Sequence, residues 1–286
     1  MSSCRRRFWY YHQVATVLLL LLSAYTLMVV DGLSSLPKGV VIFCHGSGDS
    51  GAGAKAMVED VVRTTPSSCS SKYKLLRDSG IVIEYPNAKL RPYSLNDGYM
   101  MRVWFDRTNG MDPRNPEDTA SVEASAAQLN QLIDRCISEQ SVPPENIAIG
   151  GFSMGGGIAL QTAARCKHKL GAVFAMSSYL CDDSWVWSKL EKQQHNNNTT
   201  RPMDDSTTAS SMNNSTNNSL LLSPIFMAHG SRDDFVPLQW GKSTAEHLER
   251  FGGDIHQFLE VPGAGHEVTT SELEELFDFL LLTLLD

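Results

Sequence analysis

The sequence predicts an α/β fold in a single domain, a mostly parallel β-sheet with helices on both faces. Two observations carry this expectation. Short apolar runs that read as buried strands alternate with amphipathic or helix-forming stretches from residue 38 to the end, and such alternation builds parallel sheets through crossover helices. The chain is also long enough: its 286 residues, 42% hydrophobic and 20% charged, supply a full core for one large domain.

The chain opens with Arg5-Arg6-Arg7 ahead of a charge-free apolar run over residues 14–30. A basic flank, an apolar run and small residues near Asp31-Gly32 read as a signal peptide or N-terminal membrane anchor over residues 1–32. A buried core helix is the poorer reading, because the run has no polar face. The folded domain is then expected over residues 38–286. Residues 39–46 form its first strand and end in the glycine-rich Ser47-Gly48-Asp49-Ser50-Gly51-Ala52-Gly53, a loop able to aim backbone N–H groups at an anion. The Gly-Lys-Ser/Thr ending of a phosphate-binding P-loop is missing. A helix over 54–63 and a strand over 81–86, stopped by Pro86, follow. Residues 87–115 look irregular and carry Tyr93, Tyr99, Met100, Met101, Trp104 and Phe105, either as a lid or binding wall or as a cap on the core.

From 117 to 137, Val122, Ala126, Leu129 and Ile133 share one face against Glu123, Gln128, Asn130 and Asp134, the spacing of an amphipathic helix. Pro143-Pro144 separates it from the apolar run before Gly151, and a further strand is expected over 170–178. Residues 193–219 are nearly all Asn, Ser, Thr, Asp and Gln, too polar to bury and expected to be a disordered insertion. Its Asn-x-Ser/Thr triplets at Asn197, Asn198, Asn213, Asn214 and Asn217 matter only if the N-terminus directs secretion. A strand over 223–230, a helix over 238–250, a strand over 255–261 and a helix over 271–285, with Ser271 as its N-cap, complete the pattern.

A net charge of -8, with no basic cluster beyond Arg5-Arg6-Arg7, argues against nucleic acid as a partner. Six cysteines lack Cys-x-x-Cys spacing, so neither a zinc site nor a redox pair is supported.

The chemistry centres on Gly151-Phe152-Ser153-Met154-Gly155, a Gly-x-Ser-x-Gly between an apolar run and alanine-rich helical sequence. That order is a nucleophile elbow: the flanking glycines keep the sharp turn free of side chains, and the helix N-terminus offers N–H groups to an oxyanion. A serine hydroxyl needs an imidazole to take its proton and a carboxylate to orient the imidazole. Ser153, Asp233 and His266 appear in that order, each just after an expected strand, so all three gather at the carboxyl edge of one sheet. Asp234 rivals Asp233, and His229 rivals His266. His229, like His45, directly precedes a strand-end glycine and ranks lower.

With these motifs the chain resembles the acyl-protein thioesterase, lysophospholipase and carboxylesterase family of α/β-hydrolases. The similar stretches are His45-Gly46-x-Gly48-Asp49, Arg91-Pro92 through Leu95-Asn96 to Trp104-Phe105-Asp106, Gly150-Gly151-Phe152-Ser153-x-Gly155-Gly156, His229-Gly230-x-x-Asp233-x-x-Val236-Pro237 and Gly263-x-Gly265-His266. The resemblance implies Ser153 as nucleophile, His266 as general base and then acid, and Asp233 as its orienter. It puts the oxyanion hole on the N–H groups of Ser47 and Met154 and brings the loop through Trp104 into the acyl-binding channel. Ser47 stands where leucine is usual and Met154 where glutamine is usual, and a backbone N–H survives either change. The implied reaction is hydrolysis of a fatty acyl thioester or ester through an acyl-enzyme, without metal or organic cofactor. Acylated proteins or lysophospholipids are the implied substrates. A short-chain carboxylesterase and a non-catalytic binding protein on the same fold are the alternatives. The leader would place the enzyme in the secretory lumen or outside the cell, held at a membrane through residues 14–30 if uncut; a cytoplasmic enzyme with an inefficient signal is the alternative.

Overall fold

In chain order the elements are β1 Gly39–Cys44, α1 Gly51–Thr64, α2 Ser68–Asp78, β2 Ile81–Glu84, β3 Leu90–Pro92, β4 Met100–Arg102, α3 Thr119–Ser138, β5 Ile147–Phe152, α4 Met154–Arg165, β6 Ala172–Met176, α5 Trp185–Thr199, β7 Ile225–Gly230, α6 Leu238–Arg250, β8 Ile255–Val261 and α7 Thr270–Leu285. The computed structural model describes residues 36–64, 68–199 and 223–285. Residues 1–32, the later part of the polar insertion and the triplets at Asn213, Asn214 and Asn217 lie outside them.

Six strands form one sheet in the order β2-β1-β5-β6-β7-β8. Every pairing is parallel. Successive side chains of a strand face opposite sides, and in β1 the split is clean. Val40, Ile42 and Cys44 enter a core shared with α3, α4, α5 and α6, whereas Val41 and Phe43 enter one shared with α1, α2 and α7. The central strands β1, β5, β6 and β7, buried on both faces, read as continuous apolar runs. From β1 the chain moves outward to β2, then returns to β5 on the other side. Such a switch opens a crevice beyond the carboxyl ends of β1 and β5, where open parallel sheets place their ligands.

Four local expectations differ from the structure. Helix α2 was not expected: SCSSKYKLLRD buries only Cys69 and Leu76, too few positions to print a helical period. Residues 87–115 contain the antiparallel β3–β4 hairpin and divide between two roles. Tyr93, Val103, Trp104 and Phe105 are buried in the core, whereas Leu90, Leu95, Tyr99 and Met100 are exposed. Helix α5 continues through residues 193–199, where disorder was expected, because Val186, Trp187 and Leu190 anchor its first turns and the helix propagates from them. The N-cap of α7 is Thr269 rather than Ser271: the Thr269 hydroxyl accepts from the Glu272 N–H (3.2 Å), and the Glu272 carboxylate accepts from the Thr269 N–H (2.7 Å). This is a reciprocal capping box.

Candidate active site

Strand β5 runs straight into α4, and Ser153 at the junction has φ 55° and ψ −124°. A non-glycine residue held there stores strain, which marks functional positions when the surroundings enforce it. They do so here: the Ser153 N–H donates to the Met176 carbonyl at the end of β6 (2.8 Å), and both flanking glycines press on the carbonyl end of β1. A Cβ at Gly151 would lie 3.0 Å from the Cys44 carbonyl carbon, and one at Gly155 would lie 2.6 Å from it, each nearer still to the oxygen. The elbow therefore wraps one backbone carbonyl, and only glycine fits on either side.

Ser153, Asp233 and His266 follow β5, β7 and β8, and the parallel sheet brings them together. The Ser153 hydroxyl lies 3.0 Å from His266 Nε2, and His266 Nδ1 lies 2.7 Å from Asp233 Oδ2. Because a carboxylate only accepts, Nδ1 carries the ring proton and Nε2 is left with its lone pair toward the serine. The other carboxylate oxygen, Oδ1, accepts from the N–H groups of Phe235 (3.0 Å) and Val236 (2.7 Å), which fixes the carboxylate plane. Asp233 is 5% exposed, whereas Asp234 faces solvent. The His266 ring packs between Phe152 and Phe235, at centroid distances of 4.7 and 5.0 Å.

The glycine-rich loop after β1 passes beside the serine: a Cβ at Gly46 would lie 3.6 Å from Ser153 Cβ. Neither the Ser47 nor the Met154 N–H has an acceptor among the described residues. Unsatisfied amides at a helix start and in a neighbouring loop are what an oxyanion needs. The loop is held by the Gly48 N–H on the Arg102 carbonyl (2.9 Å) and by His45 beneath it. His45 is wholly buried, donates from Nδ1 to the Gly46 carbonyl (2.7 Å) and accepts at Nε2 from the Ala88 N–H (3.0 Å). Burial pushes its pKa below the ordinary 6.5, so it stays neutral.

Trp104 differs from its expected place in a substrate channel. It is 0% exposed and its indole N–H donates to the His45 carbonyl (2.9 Å), so it supports the loop from below and presents no surface to a ligand. Two ring residues to which the motifs assign no role, Phe152 and Phe235, pack on His266 instead, with Phe235 55% exposed. His229, the rival histidine, also stands beside Asp233, but its Nε2 donates to the Val236 carbonyl (2.8 Å) and sits 3.6 Å from Asp233 Oδ2.

Known proteins resemble this chain over most of its length. An acyl-protein thioesterase 1 homolog of Dictyostelium discoideum is 30% identical over 247 residues, 85% of this chain and 90% of that protein. The lysophospholipase-like protein 1 of Mus musculus is 31% identical over 245 residues, 85% of this chain and 86% of that protein. The crystal structure of Zea mays acyl-protein thioesterase 2 superposes with a TM-score of 0.64 at 22% identity, over 87% of this chain and 95% of that one, and shares its fold. A phospholipase/carboxylesterase family model matches residues 27–203 and 205–284, and with the α/β-hydrolase sheet carrying its serine, histidine and aspartate at one edge, this chain belongs to that family of hydrolases.

Proposed function

We propose that the chain is a serine hydrolase that cleaves fatty acyl thioesters or carboxylic esters through an acyl-enzyme. The observation that supports this most is the unbroken line from Ser153 Oγ through His266 to Asp233, at 3.0 and 2.7 Å. Ser153 Oγ attacks the acyl carbon while His266 Nε2 takes its proton; Asp233 keeps the imidazole in the right tautomer and steadies the imidazolium. The carbonyl oxygen becomes an oxyanion facing the N–H groups of Ser47 and Met154. On collapse His266 returns the proton to the departing thiol or alcohol. Water then repeats the sequence and frees the fatty acid. Side chains and amides supply every step.

An acyl substrate fits the surroundings. Phe152 and Phe235 flank the base, and the exposed Leu95, Tyr99 and Met100 belong to the hairpin that anchors the glycine-rich loop. Relatives named acyl-protein thioesterase and lysophospholipase-like protein support acylated proteins or lysophospholipids as substrates. The test is rate against acyl length on matched thioesters and oxyesters, with Ser153→Ala alongside. Long acyl chains should be preferred and the variant should be inactive. Preference for acetyl or butyryl esters would make the chain a short-chain carboxylesterase, and turnover by the variant would end the serine reading.

We further propose that residues 1–32 carry the enzyme into the secretory lumen, on the strength of the arginine-flanked apolar run at 14–30. Lumenal lysophospholipids then outrank cytosolic acylated proteins as substrates. An unglycosylated full chain, digested by protease outside intact microsomes, would overturn this placement.

A further inference from the structure

We propose that His229 is a positioning residue for the catalytic pair, locking the Asp233 carboxylate into the orientation that receives His266. The inference rests on the serine hydrolase reading. His229 is the penultimate residue of β7, and Asp233 lies in the turn four residues on, which must fold back sharply for its carboxylate to meet His266. Two of the bonds that close the turn meet at Val236. The Val236 N–H donates to Asp233 Oδ1 (2.7 Å), and the Val236 carbonyl accepts from His229 Nε2 (2.8 Å). The same peptide segment is thus gripped from both ends, by the carboxylate and by the strand. Without the imidazole the Val236 carbonyl loses this partner, and the Val236 N–H, which with that of Phe235 holds Oδ1, is less firmly placed.

The ring is itself fixed. His229 is 1% exposed, and a Cβ on Gly241 of α6 would come within 2.9 Å of its Cε1 and nearer still to Nδ1. The glycine lets α6 close directly onto the imidazole and hold it against the turn. The ionisable groups acting on His229 are Asp233 and His266, and burial outweighs the aspartate in keeping the ring neutral. A neutral ring is what the arrangement needs. It donates its one N–H to a carbonyl and sits 3.6 Å from Oδ2 without competing for the lone pair that serves His266. A cation there would draw the carboxylate away from His266.

The experiment compares three variants of the full chain with wild type, by steady-state kinetics and by the downfield proton resonance of the His266 Nδ1–H bonded to Asp233. His229→Met removes the donor, and kcat should fall about 100-fold with KM little changed, the penalty of misplacing a catalytic group by about an ångström. The resonance should move upfield or vanish. His229→Gln places an amide N–H at nearly the same reach and should recover at least about ten-fold of that loss together with the resonance. Gly241→Ala favours helix α6 intrinsically yet displaces the ring, so kcat should fall without loss of fold; this variant decides the matter if the methionine protein does not fold. Wild-type kcat and resonance in a folded methionine or alanine variant would overturn the inference, as would equal losses in methionine and glutamine. Ser153→Ala separates the two ideas: if it is inactive while His229→Met is normal, only the positioning role fails; if it stays active, the serine reading itself fails.

Discussion

Replacing Gly155 by alanine should damage catalysis far more than its single added carbon suggests. The new Cβ would lie 2.6 Å from the Cys44 carbonyl carbon and 2.7 Å from the His45 carbonyl oxygen. Carbon atoms rest at about 3.5–4.0 Å, so roughly an ångström must be found. The β1 side cannot supply it cheaply, since Cys44 pairs with Gly151 in the sheet and the Trp104 indole holds the His45 carbonyl. The start of α4 has to move instead, and it carries Met154, while Ser47 stays with β1. On the proposed mechanism, the two amides that face the oxyanion are thereby pulled apart. Losing one such donor costs about 10²–10³ in kcat, and overpacking costs about 1–3 kcal/mol of stability. Hydrolysis of a chromogenic acyl ester, with thermal melts of both proteins, measures the two effects. A Gly155→Ala protein with wild-type kcat and melting temperature would refute the reasoning, because the elbow would not then be wrapped on the Cys44 carbonyl.

Ser153→Ala should lose all turnover while melting close to wild type, since the hydroxyl's bond to His266 contributes to chemistry and little to packing. Acid should destabilise the fold. Burial lowers the pKa of His45 and His229 below 6.5, so the unfolded chain takes up their protons first; the stability they allow is complete above that value and lost below it. Melting temperature should fall between about pH 7 and pH 5, and a flat profile would show that neither ring resists protonation. Glu272 works the other way: burial raises its pKa above 4.5, so its contribution is present at low pH and lost as pH rises through the folded value. Glu272→Gln keeps an acceptor for the Thr269 N–H and should raise the melting temperature at neutral pH, whereas Thr269→Ala should cost about 1 kcal/mol by removing the cap. A neutral-pH loss in the glutamine variant would contradict the assignment.

The sheet was legible because its four central strands are buried on both faces and print as apolar runs; the half-exposed edge strand β8 still has the bounds expected from sequence, as does α6. The elbow was legible because its two glycines answer one carbonyl. Elements of three residues, such as β3 and β4, were not, since no period fits in them. The cap of α7 is written in the sequence as Thr269-x-x-Glu272, but Ser271 stands nearer the apolar run and is as good a cap by residue type. Trp104 shows a different limit. Its type suggests a binding wall, and only the position of His45 reveals that the indole N–H is spent on a buried carbonyl. Likewise, sequence offers two histidines for one aspartate. What separates them is that His266 alone also reaches Ser153, while His229 turns its Nε2 to Val236.

The most direct test of the serine, histidine and aspartate arrangement is labelling by a fluorophosphonate, followed by mapping of the modified peptide. The reagent reacts with a serine only when a base draws off its proton beside an oxyanion site. Wild type should be modified at Ser153 alone, and His266→Ala should be labelled far more slowly although its serine is intact. Failure to label the folded wild-type protein, or labelling at another serine, would contradict the account.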